Sequence, residues 1–162
     1  QKSKLPRGIA LILGFFDGIH LGHQRVISNT ANVPKVIVTF SKSPAEYFGQ
    51  EFDYIYYREH NYELMRNLGV DYVYEQDFSE IANLTAEEYL QKIIQLFCPI
   101  SITTGFNHTF GAKRQGNSDF LEKHRVNYEY FCTPPTIIDD EIVSSTKIKE
   151  FISKNRFYLF YF

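Results

Sequence analysis

The sequence predicts an α/β fold with a mainly parallel sheet, and three observations predict it. Apolar, β-branched runs of strand length alternate with helical patterns along the whole chain. Glycine and proline punctuate the joints between them. No internal repeat or low-complexity segment interrupts the alternation.

Taken in order, Ile9-Ala10-Leu11-Ile12-Leu13 lies in a strand over 8–13, too short an apolar run to cross a membrane. A glycine-rich turn leads into a helix over 21–29. Lys35-Val36-Ile37-Val38-Thr39-Phe40 forms the second strand, because β-branched residues pack well on a pleated surface. Residues 41–52, holding Pro44 and Gly49, read as a loop, and a helix over 57–67 is closed by Gly69. A third strand follows over 70–74. Thr85-Ala86-Glu87-Glu88 has the capping-box pattern, and Tyr89, Leu90, Ile93, Ile94 and Phe97 make the apolar stripe of the next helix. A fourth strand over 100–104 enters a loop bounded by Gly105 and Gly116. A short helix over 118–124, a strand over 128–132 and a small turn around 139–141 come next. Ser144 caps a final helix reaching about 155.

Length and composition bound the function. At 162 residues the chain suits one domain with a real core, placed at 1–155, with an aromatic tail over 156–162. A net charge of −2 supplies no basic stripe, so nucleic acid is not an expected partner, and no membrane is expected either. Cys98 and Cys132 lie in otherwise apolar segments without metal-like spacing. They read as reduced core residues of a cytoplasmic protein.

One stretch concentrates the chemistry: Gly14-Phe15-Phe16-Asp17-Gly18-Ile19-His20-Leu21-Gly22-His23. A strand-to-helix turn aims a helix N-terminus, with free N–H groups and partial positive charge, at whatever lies beyond the strand. Phosphate is the usual guest. His20 and His23, three apart, would share a face of the first turn, and Gly22 would let a phosphate approach the backbone. Two more segments end at the same sheet edge. Gly105-Phe106-Asn107-His108-Thr109-Phe110-Gly111 offers an amide donor and acceptor at Asn107 and a stacking face at Phe110. Val143-Ser144-Ser145-Thr146-Lys147-Ile148-Lys149 opens a helix with hydroxyls and free N–H groups. Ligands of open α/β sheets bind beyond the carboxyl ends of strands, so these loops converge on one site.

The first stretch resembles the leading signature of the nucleotidylyltransferase superfamily, in the form closest to bacterial FAD synthetases. The Gly105–Gly116 loop and the Ser144–Lys149 segment resemble two further signatures, and the resemblance runs from about Ile9 to Ile152. It implies a Rossmann-like sheet with helices on both faces. It also implies transfer of the adenylyl group of ATP, with Mg²⁺, to FMN, giving FAD and pyrophosphate. His20 and His23 would be catalytic. Gly14, Phe15, Phe16, Asp17, Gly22, Ser144, Ser145, Thr146 and Lys149 would bind the nucleotide, and Phe40, Pro44, Asn107 and Phe110 the flavin. The metal ligands are not assigned. Two departures stand out: Lys149 replaces the family's arginine, and Lys42-Ser43 replaces a Pro-His pair in the segment after the second strand. Relatives usually carry a riboflavin kinase domain, and none is expected within these 162 residues; a second copy or such a domain is the expected cover for the aromatic tail. The rival readings are transfer to another small phosphate ester or alcohol, such as phosphopantetheine or glycerol phosphate, and a relative that binds nucleotide or flavin without turnover.

Overall fold

The computed structural model describes residues 5–155; the aromatic tail lies outside the described residues. Five parallel strands form the sheet: β1 (Ala10–Leu13), β2 (Lys35–Phe40), β3 (Tyr72–Gln76), β4 (Ser101–Gly105) and β5 (Glu129–Thr133). Their spatial order is β3-β2-β1-β4-β5, so the strand order reverses between β1 and β4. β1 is buried on both faces, which is why it reads as an unbroken apolar run without alternation. Ile9, Leu11, Leu13, Val36 and Val38 face α4 (Ala86–Phe97) and α5 (Ser118–Lys123). Ile12 and Ile37 face α1 (Leu21–Ser28) and α3 (Arg58–Asn67). Helices on both faces are therefore as expected. A small antiparallel pair, β6 (Ile137–Ile138) and β7 (Glu141–Ile142), delivers the chain to α6 (Ser145–Ser153).

Four expectations need correcting. Residues 41–52 are not all loop: α2 (Pro44–Tyr47) forms there, with Ser43 and Glu46 closing a capping box and proline at its start. β3 begins two residues late because Gly69, at φ 83°, closes α3, and the Asp71 carboxylate accepts the Lys35 N–H before the ladder starts. β4 and β5 each begin and end one residue later than expected. Cys98 and Cys132 are exposed free thiols, not core residues. Cys98 is the left-handed cap of α4, and Cys132 lies on the sheet's edge strand.

Gly111 shows how tightly the second loop is anchored. Its φ is 75°, and an added Cβ would lie 2.7 Å from the Ala86 backbone nitrogen. Gly111→Ala is expected to lower the unfolding free energy in urea by more than the ~1 kcal/mol of an ordinary glycine site, since backbone strain and a backbone clash add. A midpoint equal to the parent's would mean the loop is not pinned to α4.

Candidate active site

A cleft of about 420 Å³ opens at the carboxyl ends of β1 and β4, where the strand order reverses. Its walls bring together Gly14, Phe15, Phe16, His20, Gly22 and His23 from the first turn, Phe40 from the end of β2, Pro44 from the start of α2, and Asn107 from the loop after β4. Ser144, Ser145 and Thr146 complete it. The N-termini of α1 and α6 thus both border one space, each contributing unpaired amides and partial positive charge.

His20 is not inside the helix. It is the N-cap of α1, with extended backbone, and its Nδ1 accepts the His23 N–H at 3.3 Å. Because Nδ1 accepts, the ring proton sits on Nε2. The two imidazoles stack, centroids 3.6 Å apart, and the edge of Phe16 closes on His23. Burial lowers the His20 pKa to about 4 and pushes His23 well below 6.5, the neighbouring His20 adding to the effect on His23. Both rings are therefore neutral at physiological pH. His23 Nδ1 is closed to solvent without a partner among the described residues. Gly22 also makes room for the imidazole: a Cβ there would meet the His20 ring at 3.1 Å.

The turn itself is strained. Phe16 and Ile19 have φ of 57° and 42°, values a β-branched residue such as isoleucine rarely adopts. Thr39 holds it from β2 by donating its hydroxyl to the Phe15 carbonyl at 3.1 Å. Asp17 holds it from the other side. Its buried carboxylate accepts the Ile55 N–H at 3.0 Å and pairs with Lys149 Nζ at 3.2 Å, while its carbonyl accepts the Ser145 hydroxyl at 2.8 Å.

Several expected ligands are thus already committed. Lys149 does not border the cleft; it lies against Asp17 and 3.7 Å over the Phe52 ring. The Ser144 hydroxyl caps α6 and the Ser145 hydroxyl fastens the turn, leaving Thr146 beside them at the cleft wall. Phe110 also departs from its expected place. Its ring is buried in the core between Tyr89 and Phe120, and Gly116 gives it room, so it offers no free stacking face. Two contributors escaped the sequence reading. The Thr133-Pro134-Pro135-Thr136 segment lines the cleft, a paired proline at a strand end being the overlooked signal. His108 lines it too, its Nε2 unpartnered among the described residues and its pKa lowered to about 4 by burial.

These imidazoles make stability depend on pH with a definite sign. The folded His20 and His108 titrate near 4, against 6.5 for the free side chain. Between those values the unfolded chain binds more protons, so stability falls as pH drops from 6.5 towards 4. Urea midpoints at pH 7.0 and 5.0 check this, and His108→Phe is expected to flatten the difference.

The family model described as FAD synthetase matches residues 2–147. The chain belongs to the FAD synthetase family. A bifunctional riboflavin kinase/FMN adenylyltransferase of Haemophilus influenzae is 28% identical, over 94% of this chain and 54% of that protein. A Listeria monocytogenes FAD synthetase is 26% identical, over 96% of this chain and 68% of that protein. This FAD synthetase-family chain spans about half the length of most curated relatives it matches. A Streptococcus pneumoniae structure titled as a macrolide-efflux protein superposes with a TM-score of 0.83 at 28% identity, over 93% of this chain and 53% of that one. A putative nicotinate-nucleotide adenylyltransferase of Vibrio parahaemolyticus, at 15% identity and a TM-score of 0.54, shares the fold. No helix among the described residues is long and apolar enough to cross a membrane.

Proposed function

We propose that this chain transfers the adenylyl group of ATP to FMN, releasing pyrophosphate and forming FAD. The observation that carries the reading is the convergence of two helix N-termini and a neutral imidazole pair on one cleft, in a member of the FAD synthetase family. An FMN phosphate oxygen attacks the α-phosphorus in line. One P–O bond forms, the α–β bridge bond breaks, and its electron pair leaves with pyrophosphate. The attacking phosphate is already largely ionised at neutral pH, with a second pKa of about 6, so no general base is required. The problem is charge, and the chain answers it with preorganised donors.

His20 donates from Nε2 to the phosphate oxygens as charge builds on them, and the stacked His23 fixes its plane. The free N–H groups at the starts of α1 and α6 hold the remaining oxygens. Mg²⁺ enters with ATP. Among the described residues no three metal-ligating side chains cluster, and the Asp17 carboxylate is engaged by Lys149 and Ile55. Phe40, Pro44 and Asn107 border the acceptor side of the cleft. Lys149 acts by securing Asp17 and the turn, not by gripping the outer phosphates. The exposed thiols suit a reducing cytoplasm.

Incubation with MgATP and FMN, with separation of flavins and measurement of pyrophosphate, tests the reading. FAD and pyrophosphate in equal amounts are expected. Pyrophosphate formed with phosphopantetheine or glycerol phosphate but not with FMN would reassign the acceptor. Binding without any pyrophosphate would end the catalytic reading.

A further inference from the structure

Helix α1 has a second attachment, at the end away from the imidazole pair, and the mechanism above does not use it. Asn29 closes the helix, its N–H donating to the Arg25 carbonyl at 2.9 Å. Its carbonyl accepts the hydroxyl of the buried Thr103 on β4 at 3.1 Å. The backbone of Asn29 is thus held by its own helix and by the sheet, and that aims the side chain. The amide Nδ2 donates to Thr133 Oγ1, at the end of β5, at 3.0 Å. The two residues lie 104 apart in sequence, so only the fold brings them together.

Through Thr133 this contact reaches the site. Thr133 is 4% exposed, borders the nucleotide cleft, and leads directly into Pro134, Pro135 and Thr136 of the same wall. A hydroxyl can donate one hydrogen bond and accept others, and its proton turns to suit. The nitrogen of the Asn29 amide only donates, so it holds Thr133 Oγ1 in the accepting sense. The Thr133 proton then points elsewhere, and among the described residues no group accepts it. Buried threonines elsewhere in the sheet behave differently. Thr39, Thr103 and Thr104 each donate to a backbone carbonyl. The hydroxyls of Thr133 and Thr136 do not, and both residues stand on the cleft wall; Thr136 Oγ1 has no partner at all among the described residues. A donor left unused on a nearly buried hydroxyl is destabilising until something meets it.

We propose that Asn29 is a positioning residue for nucleotide binding. By donating to Thr133 it turns that hydroxyl into a hydrogen-bond donor aimed into the cleft, where it meets an acceptor atom of the nucleoside triphosphate. The inference rests on the reading of this cleft as the nucleotide site.

Binding of α,β-methylene-ATP with Mg²⁺ to the whole chain, measured by isothermal titration beside a thermal melt of each variant, tests it. Thr133→Val removes the donor and keeps the shape, so it should weaken binding about threefold to tenfold, the range for one hydrogen bond. Asn29→Asp keeps a partner for the hydroxyl, but a carboxylate only accepts, so the Thr133 proton turns back from the cleft. Its loss should match that of Thr133→Val. Asn29→Ala frees the hydroxyl to turn and should fall between the parent and Asn29→Asp. In the Thr133→Val background Asn29→Asp should weaken binding by no more than about twofold further, which separates the turned proton from repulsion between the new carboxylate and the phosphates. A merely structural tie gives the reverse order, with Asn29→Asp near the parent and Asn29→Ala weaker. That order, full affinity in Thr133→Val, or losses that multiply in the double variant would each overturn the proposal. A parent that binds no analogue would end the functional reading together with this one, whereas the reverse order in a parent that binds ends this one alone.

Discussion

His20→Ala is expected to lower adenylyl transfer by about a hundredfold or more, the usual effect of removing one preorganised donor from a transition state. The loss should appear in kcat, since His20 acts on charge that builds during transfer. The structure adds a second effect. His20 Nδ1 caps α1, so alanine also removes an N-cap worth about 1 kcal/mol. His20→Asn separates the two. Asparagine is a good N-cap, so the thermal midpoint should return towards the parent value while kcat stays low. Steady-state FAD formation beside a thermal melt of each variant makes the comparison. A variant that regains both, or an alanine variant with full turnover, would remove the imidazole from the chemistry.

Asp17→Ala should produce the largest loss of stability of any single change at the site. The carboxylate is almost wholly buried and joins three separate parts of the chain: the turn that carries it, the segment at Ile55 and helix α6 through Lys149. Hydrogen bonds to a charged group contribute about 1.5–3 kcal/mol, and alanine leaves the Ile55 N–H unpaired as well. A loss of this size is expected in urea denaturation. Because Phe16 and Ile19 hold left-handed backbone next to it, turnover should fall together with stability. Asp17→Asn retains an acceptor for Ile55 and loses the ion pair, so it should fall between parent and alanine. A double-mutant cycle of Asp17→Asn with Lys149→Met should give a coupling above about 0.5 kcal/mol. Additive losses would mean that the pair does not fasten α6 to the turn.

Most of the architecture was legible because its signals are local. An unbroken apolar run marks a strand buried on both faces, and Thr85 with Glu88 marks a helix start that the structure reproduces as a full capping box. The Ser43–Glu46 box was there to be read as well, but Pro44 and Gly49 argued for loop. The site was legible as a set of converging loops. The roles of individual side chains were not, because those roles depend on partners far away in sequence. Asp17 reads as a nucleotide-site residue until Lys149 and Ile55 are placed beside it. Phe110 reads as a stacking platform until Tyr89 and Phe120 enclose it. Gly22 reads as a phosphate gap, and only the fold shows that it also makes room for the imidazole of His20. Cysteine exposure failed for the same reason. Flanking apolar residues say nothing about a left-handed cap or an edge strand.

A crystal structure of the chain with a non-hydrolysable ATP analogue and Mg²⁺ tests the account most directly. The phosphates should lie within hydrogen-bond distance of His20 Nε2 and of the free amides that open α1 and α6, with Lys149 still paired to Asp17. Phosphates seated elsewhere, with the two imidazoles untouched, would contradict it.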